Sequence, residues 1–227
     1  KTIQSVVSQN YPNLEYLIFD GGSTDNSVKI IREFAKKYPQ IIWQSKKDKG
    51  QVKAINQGLQ KDTGDIIAYI NSDDYYLPHS FQKVANFFLA NPRKMWVVGD
   101  CQVSQKNLSW TFVIKRLSPF HLSKLGLEIY NPINQPAVFL TKKLIKKVGF
   151  FSSKYHYAFD YDFWLRCAQI TLPGRISSAL AVFRIHHASK GSSGFQKQLH
   201  EDLAIAYLHT NNPLTKAGQE LQNVADE

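Results

Sequence analysis

Apolar strand segments and amphipathic helix segments alternate along the first half of the chain. Leu14–Asp20 and Asp65–Ile70 are short apolar runs bounded by turn residues, which is typical of buried β-strands. The segment SVKIIREFAKKY between them places Val28, Ile31 and Ala35 at helical spacing. An order of strand, helix, strand and helix at this pace predicts an α/β fold with a mostly parallel sheet and helices on both of its faces.

The same reasoning assigns elements to the rest of the chain. Further strands are predicted at Ile41–Gln44, Met95–Gly99, Ser109–Ile114, Gln135–Thr141 and Ala179–His186. Further helices are predicted at Thr2–Gln9, Gln51–Gln60, Ser80–Ala90, Lys142–Val148, Asp160–Gln169 and from Phe195 onward. No repeat, low-complexity segment or linker divides the sequence, so we expect a single domain over residues 1–227.

The composition narrows the class of protein. A chain of 227 residues that is 43% hydrophobic can bury a core, and no apolar run approaches the length of about 20 residues that a membrane span needs. Cys101 and Cys167 lie far apart, which argues against a disulfide framework and a structural zinc site and fits a reducing cytoplasm. The net charge of +10 is compatible with a generally basic surface, with binding of polyanions or anionic lipid headgroups, and with small anionic substrates.

Two acidic clusters follow predicted strands. Asp20 closes the first strand, and the run DIIAYI ends in Asn71, Ser72, Asp73 and Asp74. Because ligands of an open α/β sheet bind at the carboxyl ends of its strands, these carboxylates are candidate binding groups, although Asp20 is equally typical of a turn. Adjacent carboxylates repel each other unless a cation lies near them, so the pair favours Mg²⁺ or Mn²⁺ over a simple helix cap. Such a metal is usually completed by water and phosphate, which predicts a phosphate-bearing ligand.

Several common motifs are absent from the sequence. It has no GxxxxGK[ST] loop, which makes a P-loop nucleotidase unlikely, and no GxSxG nucleophile elbow. The segment DGGSTD does not match GxGxxG, so a dinucleotide-binding fold is not supported.

Five segments occur in a familiar order. They are SVVSQNYPNLEYLIFDGGSTDNSVKII, KDKGQVKAINQGL, TGDIIAYINSDDYYLP, NQPAVFLTKKLIKKVGFF and YAFDYDFWLRCA. Together they resemble family 2 glycosyltransferases with the GT-A fold, over nearly all of residues 1–190. The resemblance implies a nucleotide-sugar half over about 1–100, an acceptor half with an α/β extension over about 101–190, and a C-terminal helix and tail over 191–227.

The resemblance implies a donor site in the first half. Asp20 and Asp25 lie in the segment that resembles the family's acidic turn near the nucleotide, and Gly21 stands where relatives often have a second acid that contacts the base. Lys53 and Asn56 lie in the segment that resembles the family's A-x-N-x-G helix start. A solvated lysine and a capping asparagine are the structural alternatives for these two residues.

The resemblance also implies a metal site. Asp73 and Asp74 match the metal and ribose positions of the family's DxD region, and Asn71 replaces the aspartate that often begins it. Which of the two aspartates ligates the metal stays open. His186, in RIHHASKG, matches the position of a metal or diphosphate contact in some GT-A enzymes, and a packed histidine is the alternative.

On the acceptor side, the resemblance implies a single catalytic carboxylate. Asp160 matches the position of the base, and Phe159 stands where many members have glutamate. Asp162 is expected to cap the helix or contact the acceptor, and Trp164 is expected in the core.

The expected activity is therefore an inverting sugar transfer. The donor is a nucleotide diphosphate-sugar, the acceptor is a glycan or a lipid-linked sugar, and Mg²⁺ or Mn²⁺ is the cofactor. A basic surface suits a lipid-linked, diphosphate-bearing acceptor, so we expect a cytoplasmic protein with peripheral contact to the inner face of the membrane. No nucleic-acid partner is expected, because the net charge alone favours one and no motif supports it.

Members of the family begin with a strand and a proline-containing loop that contact the nucleotide base. Neither precedes Lys1 in this sequence. A sequence that begins at lysine rather than methionine is typical of a fragment whose upstream piece is missing. If it is instead the whole chain, the resemblance implies a sheet without one central strand and weaker nucleotide binding. This favours the alternative function, a nucleotide-sugar-binding module of the same fold with impaired catalysis.

Overall fold

Two β-sheets with flanking helices form the fold. The computed structural model describes residues 1–48, 50–105, 111–115, 117–185 and 194–210, with the backbone alone for 105, 111–115 and 195. The strands are β1 (Tyr16–Asp20), β2 (Ile41–Ser45), β3 (Ile66–Ile67), β4 (Tyr75–Tyr76), β5 (Trp96–Gln105), β6 (Thr111–Lys115), β7 (Val138–Thr141) and β8 (Gly174–Ile185). The helices are α1 (Thr2–Val7), α2 (Ser27–Lys37), α3 (Gln51–Lys61), α4 (Ser80–Ala90), α5 (Lys124–Ile129), α6 (Lys142–Val148), α7 (Phe159–Ile170) and α8 (Phe195–His209), with a 3₁₀ turn at Gln135–Ala137.

The larger sheet is mixed. β1 and β2 form a separate two-stranded parallel sheet, and the larger sheet has the order β3-β7-β5-β8-β4 with β6 paired to β5. The predicted parallel pairing is found in β1–β2 and β5–β8, whereas the other described strand pairs are antiparallel. β7 runs antiparallel to both of its neighbours, β3 and β5.

Most predicted elements are confirmed, and α4 and α6 have the predicted bounds. The strand predicted over Asp65–Ile70 is shorter, since the ladder with β7 covers Ile66 and Ile67 alone. β4 and α5 were not predicted. Ser123 gives α5 a recognisable start, because its Oγ accepts a hydrogen bond from the Gly126 N–H at 3.1 Å.

A cavity separates the two sheets. Its volume is about 970 Å³, and its lining includes Leu17 and Phe19 from β1 and Ile67 from β3. Every residue of β1 is half-buried although most of them are apolar. The strand was predicted to be buried. It is less buried than expected because β2 is its one paired neighbour among the described strands and the cavity borders its other edge.

Aromatic side chains dominate the core under the second half of the chain. Trp96 of β5 stacks on Trp164 of α7 with ring centroids 5.9 Å apart, and Phe163 stacks on Phe151 at 4.0 Å. Trp164 is 1% exposed, so its predicted place in the core is confirmed. This packing fixes α7 against the larger sheet.

Gly99 allows β5 and β8 to approach closely. A Cβ atom at this position would overlap the side chain of Leu180, which is fully buried on β8. We expect Gly99→Ala to lower the free energy of unfolding by about 1–3 kcal/mol, because overpacking forces the two strands apart. Denaturant unfolding measures this change. Gly64→Ala is the matched control, since its Cβ would meet Ile66 O at an ordinary 3.4 Å, and equal stability of the two variants would contradict the prediction.

Candidate active site

Asp20 organises the turn that follows β1. Its Oδ2 accepts hydrogen bonds from the N–H groups of Gly22 and Ser23, both at 3.0 Å, and from Ser45 Oγ at 2.6 Å. Burial opposes ionisation of Asp20, but the hydrogen bonds from Ser23 and Ser45 outweigh it and lower the pKa of the carboxyl. The side chain thus shapes the turn, and its contact with a nucleotide stays a prediction.

Asp48 lies where a side chain at position 21 would project. A Cβ atom at Gly21 would be 3.1 Å from Asp48 Oδ2, so an acid at position 21 would meet this carboxylate. Asp48 also accepts the Gly50 N–H at 2.9 Å, and it lines the cavity together with Ser72 and Asp73. Asp48 was not predictable from the sequence, because only the folded loop brings it against Gly21.

A network of side-chain amides lies beside Asp48 and Asp73. Gln51 Nε2 donates to Asn71 Oδ1 at 2.6 Å, which joins the start of α3 to the residues that follow β3. Asn71 Nδ2 reaches Gln135 Oε1 at 3.4 Å, and Gln135 Nε2 donates to the carbonyl of Tyr69 at 2.6 Å. Asn71 therefore holds the two sides of the site together, a task that suits an amide with both a donor and an acceptor.

Asp74 is enclosed by the protein. It is 0% exposed, and its Oδ1 accepts the backbone N–H of Arg184 on β8 at 2.9 Å, whereas its Oδ2 is buried without a hydrogen-bond partner. Burial raises the pKa of Asp74 to about 7; the Arg184 N–H opposes this shift, and the charge of Asp73 adds to it. The Arg184 guanidinium also donates to the carbonyl of Asp73.

Asp73 and Asp74 fit a metal that arrives with phosphates. Among the described residues no group of three or more histidine, cysteine or acidic side chains could hold an ion by itself. Mg²⁺ and Mn²⁺ typically take one or two carboxylates and complete their shell with water and substrate phosphate, so two neighbouring aspartates at the cavity are sufficient. The half-buried Asp73 is better placed for this than Asp74, whose Oδ1 already binds β8.

Asp160 lies at the start of α7 and acts on the same tyrosine as Asp74. Its Oδ1 accepts the Tyr161 N–H at 2.8 Å. Burial raises the pKa of Tyr69, and the charges of Asp160 and then Asp74 raise it further. The ring of Tyr69 packs edge-on against that of Phe151, with centroids 5.4 Å apart. The Phe151 ring in turn packs against Phe159, the residue before Asp160, with centroids 5.9 Å apart. The charges of two carboxylates predicted from distant segments therefore act on one phenol.

Asn56 has a structural contact in the fold. Its Nδ2 donates to the Phe151 carbonyl at 2.8 Å, and its Oδ1 accepts the Phe151 N–H at 2.9 Å. Lys53 lies exposed on the first turn of α3. Asp25 is also exposed, and its Oδ1 accepts the Ser27 N–H at 2.9 Å as a cap for α2. Nucleotide contacts for these three residues stay predictions.

His186 lies outside the described residues, so the structure does not test its predicted contact with metal or diphosphate. Among the residues that sequence reasoning missed, Arg184 directly precedes Ile185 and His186 in the motif RIH. The sequence signal that could have identified Arg184 is an arginine at the end of an apolar strand.

Asp162 has a structural role on α7. It is 6% exposed and binds Arg166 Nε at 2.9 Å and His209 Nε2 of α8 at 3.0 Å. Arg166 continues to the carbonyls of Val148 and Phe150, both at 3.0 Å. Of the two expectations for Asp162, a cap or an acceptor contact, the structure supports neither directly and shows a buried ion pair instead.

The family model for glycosyl transferase family 2 matches residues 1–148. The chain belongs to this family. The resemblance seen in the sequence is therefore confirmed. Among curated relatives, an uncharacterized glycosyltransferase of Haemophilus influenzae is 28% identical over 203 residues, covering 87% of this chain and 78% of that protein. A glycosyltransferase of PGL/p-HBAD biosynthesis from Mycobacterium bovis is 27% identical over 167 residues, covering 73% of this chain and 62% of that protein.

Solved structures of GT-A glycosyltransferases share the fold. TarS 1-349 of S. aureus in complex with UDP-GlcNAc has a TM-score of 0.71 at 16% identity, covering 92% of this chain and 61% of that chain. The mannosyltransferase PcManGT from Pyrobaculum calidifontis, in complex with GDP-Man and Mn²⁺, has a TM-score of 0.65 at 17% identity, covering 94% of this chain and 61% of that chain. The predicted GT-A fold class is confirmed.

This family 2 chain spans about two thirds of the length of the first curated relatives that it matches. Within the described part of the chain, we find no helix with the length and apolar character that crossing a bilayer requires.

The Asp162 ion pair should contribute to stability more than to turnover. We expect Asp162→Asn to lower the free energy of unfolding by about 3 kcal/mol, because it leaves Arg166 and His209 without their buried anion. Turnover of the folded variant should stay close to that of the wild type. Thermal unfolding and a donor-turnover assay check both parts, with the exposed Glu33→Gln as a stability-neutral control. An inactive but fully stable Asp162→Asn protein would contradict this assignment.

Proposed function

We propose that this family 2 chain transfers a sugar from a nucleotide diphosphate-sugar to an acceptor hydroxyl with inversion. The observation that carries the proposal is that the charges of both Asp74 and Asp160 act on Tyr69, which lines the cavity together with Asp73. A donor whose diphosphate is bound near the acidic pair would present its anomeric carbon towards the start of α7. The candidate base and the candidate donor site are then close enough to act on one substrate pair.

Asp160 is proposed as the general base. It accepts the proton of the acceptor hydroxyl while the acceptor oxygen forms a bond to the anomeric carbon and the bond from that carbon to the diphosphate oxygen breaks. A single displacement of this kind inverts the configuration. The hydrogen bond from the Tyr161 N–H favours the ionised form of Asp160, which a base requires.

Asp73 is proposed as the principal metal ligand, with Asp74 as a neighbouring anion anchored to β8. Mg²⁺ or Mn²⁺, when bound, supplies positive charge that stabilises the leaving diphosphate. The protein contributes the position of Asp73, which the Arg184 guanidinium fixes through the Asp73 carbonyl.

The relatives support the donor class. TarS binds UDP-GlcNAc, and the Pyrobaculum mannosyltransferase binds GDP-Man with Mn²⁺. These structures differ in nucleobase and in sugar, so the proposal is limited to nucleotide diphosphate-sugars. For the acceptor we propose a glycan or a lipid-linked sugar. The net charge of +10 favours an anionic, diphosphate-bearing acceptor near the inner face of a membrane.

A nucleotide-sugar-binding module without turnover is the second candidate. The cavity beside β1 favours it, because a strand that is paired on one edge alone gives the nucleotide side of the site less support. Donor binding without hydrolysis or transfer, over a panel of nucleotide-sugars and acceptors, would distinguish this candidate from the transferase.

Binding of a nucleoside diphosphate should require a divalent metal. We expect UDP or GDP, titrated by calorimetry, to bind at least tenfold more tightly with Mn²⁺ or Mg²⁺ than with EDTA, because the acidic pair repels a bare diphosphate. Asp73→Asn should remove the metal-dependent gain, whereas Glu33→Gln should retain it. Equal affinity with and without EDTA in the folded wild type would exclude the metal role of Asp73.

Replacement of the base should affect turnover and spare donor binding. We expect Asp160→Asn to reduce turnover about 10²–10⁴-fold, since the amide keeps the shape of the side chain and loses the proton acceptor. Donor affinity measured by calorimetry should stay within about twofold of the wild type, because the proposed base does not contact the diphosphate. Normal turnover of Asp160→Asn with a competent acceptor would assign the base to another residue.

A further inference from the structure

Glu201 of α8 binds the turn that leads into α7. Its Oε1 accepts the N–H of His156 at 3.0 Å, and its Oε2 accepts those of Tyr157 at 2.7 Å and Ala158 at 2.8 Å. Both oxygens of one carboxylate are therefore used on three consecutive backbone N–H groups. Hydrogen bonds to an ionised acceptor are roughly twice as strong as those between neutral groups, so this contact holds the turn firmly.

The local sequence provides no cap of its own at this point. The residue before α7 is Ala158, whose side chain cannot accept a hydrogen bond. The Ala158 carbonyl accepts the N–H of Asp162 in the first turn of α7 at 3.2 Å, so Ala158 lies at the junction of turn and helix. Through the Ala158 N–H, a carboxylate from another helix supplies the acceptor that the local sequence lacks.

α8 is a fixed support for this carboxylate. Ile205 is 0% exposed, which anchors the helix in the core. At the end of the helix, Thr210 Oγ1 donates to Glu128 Oε2 of α5 at 3.1 Å. At its start, a Cβ atom at Gly194 would overlap the ring of Tyr157, so the backbone that enters α8 lies directly against the turn. The helix that carries Glu201 is therefore held at both ends.

Asp160 lies two residues beyond the bound turn. It is the second residue of α7, and its Oδ1 accepts the Tyr161 N–H at 2.8 Å, which fixes the side chain relative to the helix backbone. Tyr161 anchors one side of this first turn, since its Oη donates to the Leu127 carbonyl at 2.6 Å. Glu201 fixes the backbone that enters the turn. The position of the Asp160 carboxylate therefore follows from where these contacts place the start of α7.

We propose that Glu201 is a positioning residue for Asp160. By fixing residues 156–158, it keeps the Asp160 carboxylate within hydrogen-bond distance of the acceptor hydroxyl. Without this contact the start of α7 would shift, and a displacement of about 1 Å at the reacting groups can reduce a rate about 10²-fold. The inference rests on the proposed function, in which Asp160 is the base.

Hydrogen exchange tests the contact without any substrate. In Glu201→Gln the negative charge is lost and an NH₂ group replaces one acceptor oxygen, so the N–H groups of residues 156–158 should exchange about tenfold faster, or more, than in the wild type. Glu128→Gln is the matched control, because it changes the other glutamate that binds the end of α8 and does not touch the turn. Unchanged exchange at 156–158 in Glu201→Gln would overturn the proposal.

Turnover separates positioning from donor binding. The probes are UDP-GlcNAc and GDP-mannose with water as the acceptor, and the release of UDP or GDP is measured. We expect Glu201→Gln to lower kcat about tenfold and Glu201→Ala about 10²-fold, with the donor KM within about twofold of the wild type, because the contact acts on the base side alone. Glu128→Gln should keep the wild-type kcat. Wild-type kcat in both Glu201 variants, or a rise in donor KM that matches the fall in kcat, would contradict the inference.

A double-mutant cycle tests whether Glu201 acts through Asp160. In the Asp160→Asn background no base remains to be positioned, so adding Glu201→Gln should change the residual kcat by less than about twofold. A loss by the same factor as in the wild-type background would show that Glu201 acts on another group and would overturn the inference. If Asp160→Asn alone keeps the wild-type turnover, the proposed function fails at its base, and the positioning role fails with it.

Discussion

The hydrogen bond from the Arg184 backbone to Asp74 is the contact on which the candidate site depends. β5 and β8 pair in parallel from Val97–Gly174 to Gln105–Ile185, and this long ladder fixes the backbone of Arg184. The Arg184 N–H then binds Asp74 Oδ1 at 2.9 Å. β4, which directly follows the acidic residues, pairs with the same strand β8. The backbone of Asp74 is held as well, because its N–H donates to the Asn71 carbonyl at 3.1 Å and its carbonyl accepts a hydrogen bond from Thr2 Oγ1 at 2.6 Å.

Asn56 links the proposed donor side of the site to the side of the proposed base, Asp160. Both polar atoms of the Asn56 amide bind the backbone of Phe151, which lies between the rings of Tyr69 and Phe159. A shift of α3 would therefore move Phe151 and, through it, the start of α7. The sequence predicted a nucleotide contact for Asn56. The fold shows that Asn56 can also affect the site through the backbone of Phe151, which it binds.

Local patterns predicted the elements and the ends of elements where the acidic residues lie. Asp20, Asp73 and Asp160 each follow a strand or begin a helix, and that placement is visible in the apolar periodicity before them. The partners of these residues were not predictable in the same way. Asp162 and His209 are 47 positions apart, and their pairing depends on how α7 and α8 pack. The mixed sheet and the half-buried β1 likewise follow from which strands become neighbours, which periodicity does not encode.

The buried and structural acidic residues differ in how many hydrogen-bond and ion-pair partners their carboxylate oxygens have. Asp20, Asp162 and Glu201 accept several hydrogen bonds or ion pairs, and each fixes a turn or joins two helices. Asp74 and Asp202 each keep a buried oxygen without a partner.

Replacing such a carboxylate with an amide or an apolar side chain should stabilise the fold, because a buried oxygen without a hydrogen-bond partner costs free energy. Asp74 adjoins Asp73 at the proposed donor side, and Asp202 lies on α8, which Glu201 ties to the residues before α7. Ser178 Oγ on β8 is also buried without a hydrogen-bond partner, so such atoms are not confined to the proposed site. The one at Asp74 lies where the proposed reaction handles charge, which is where proteins retain groups that stability alone would remove.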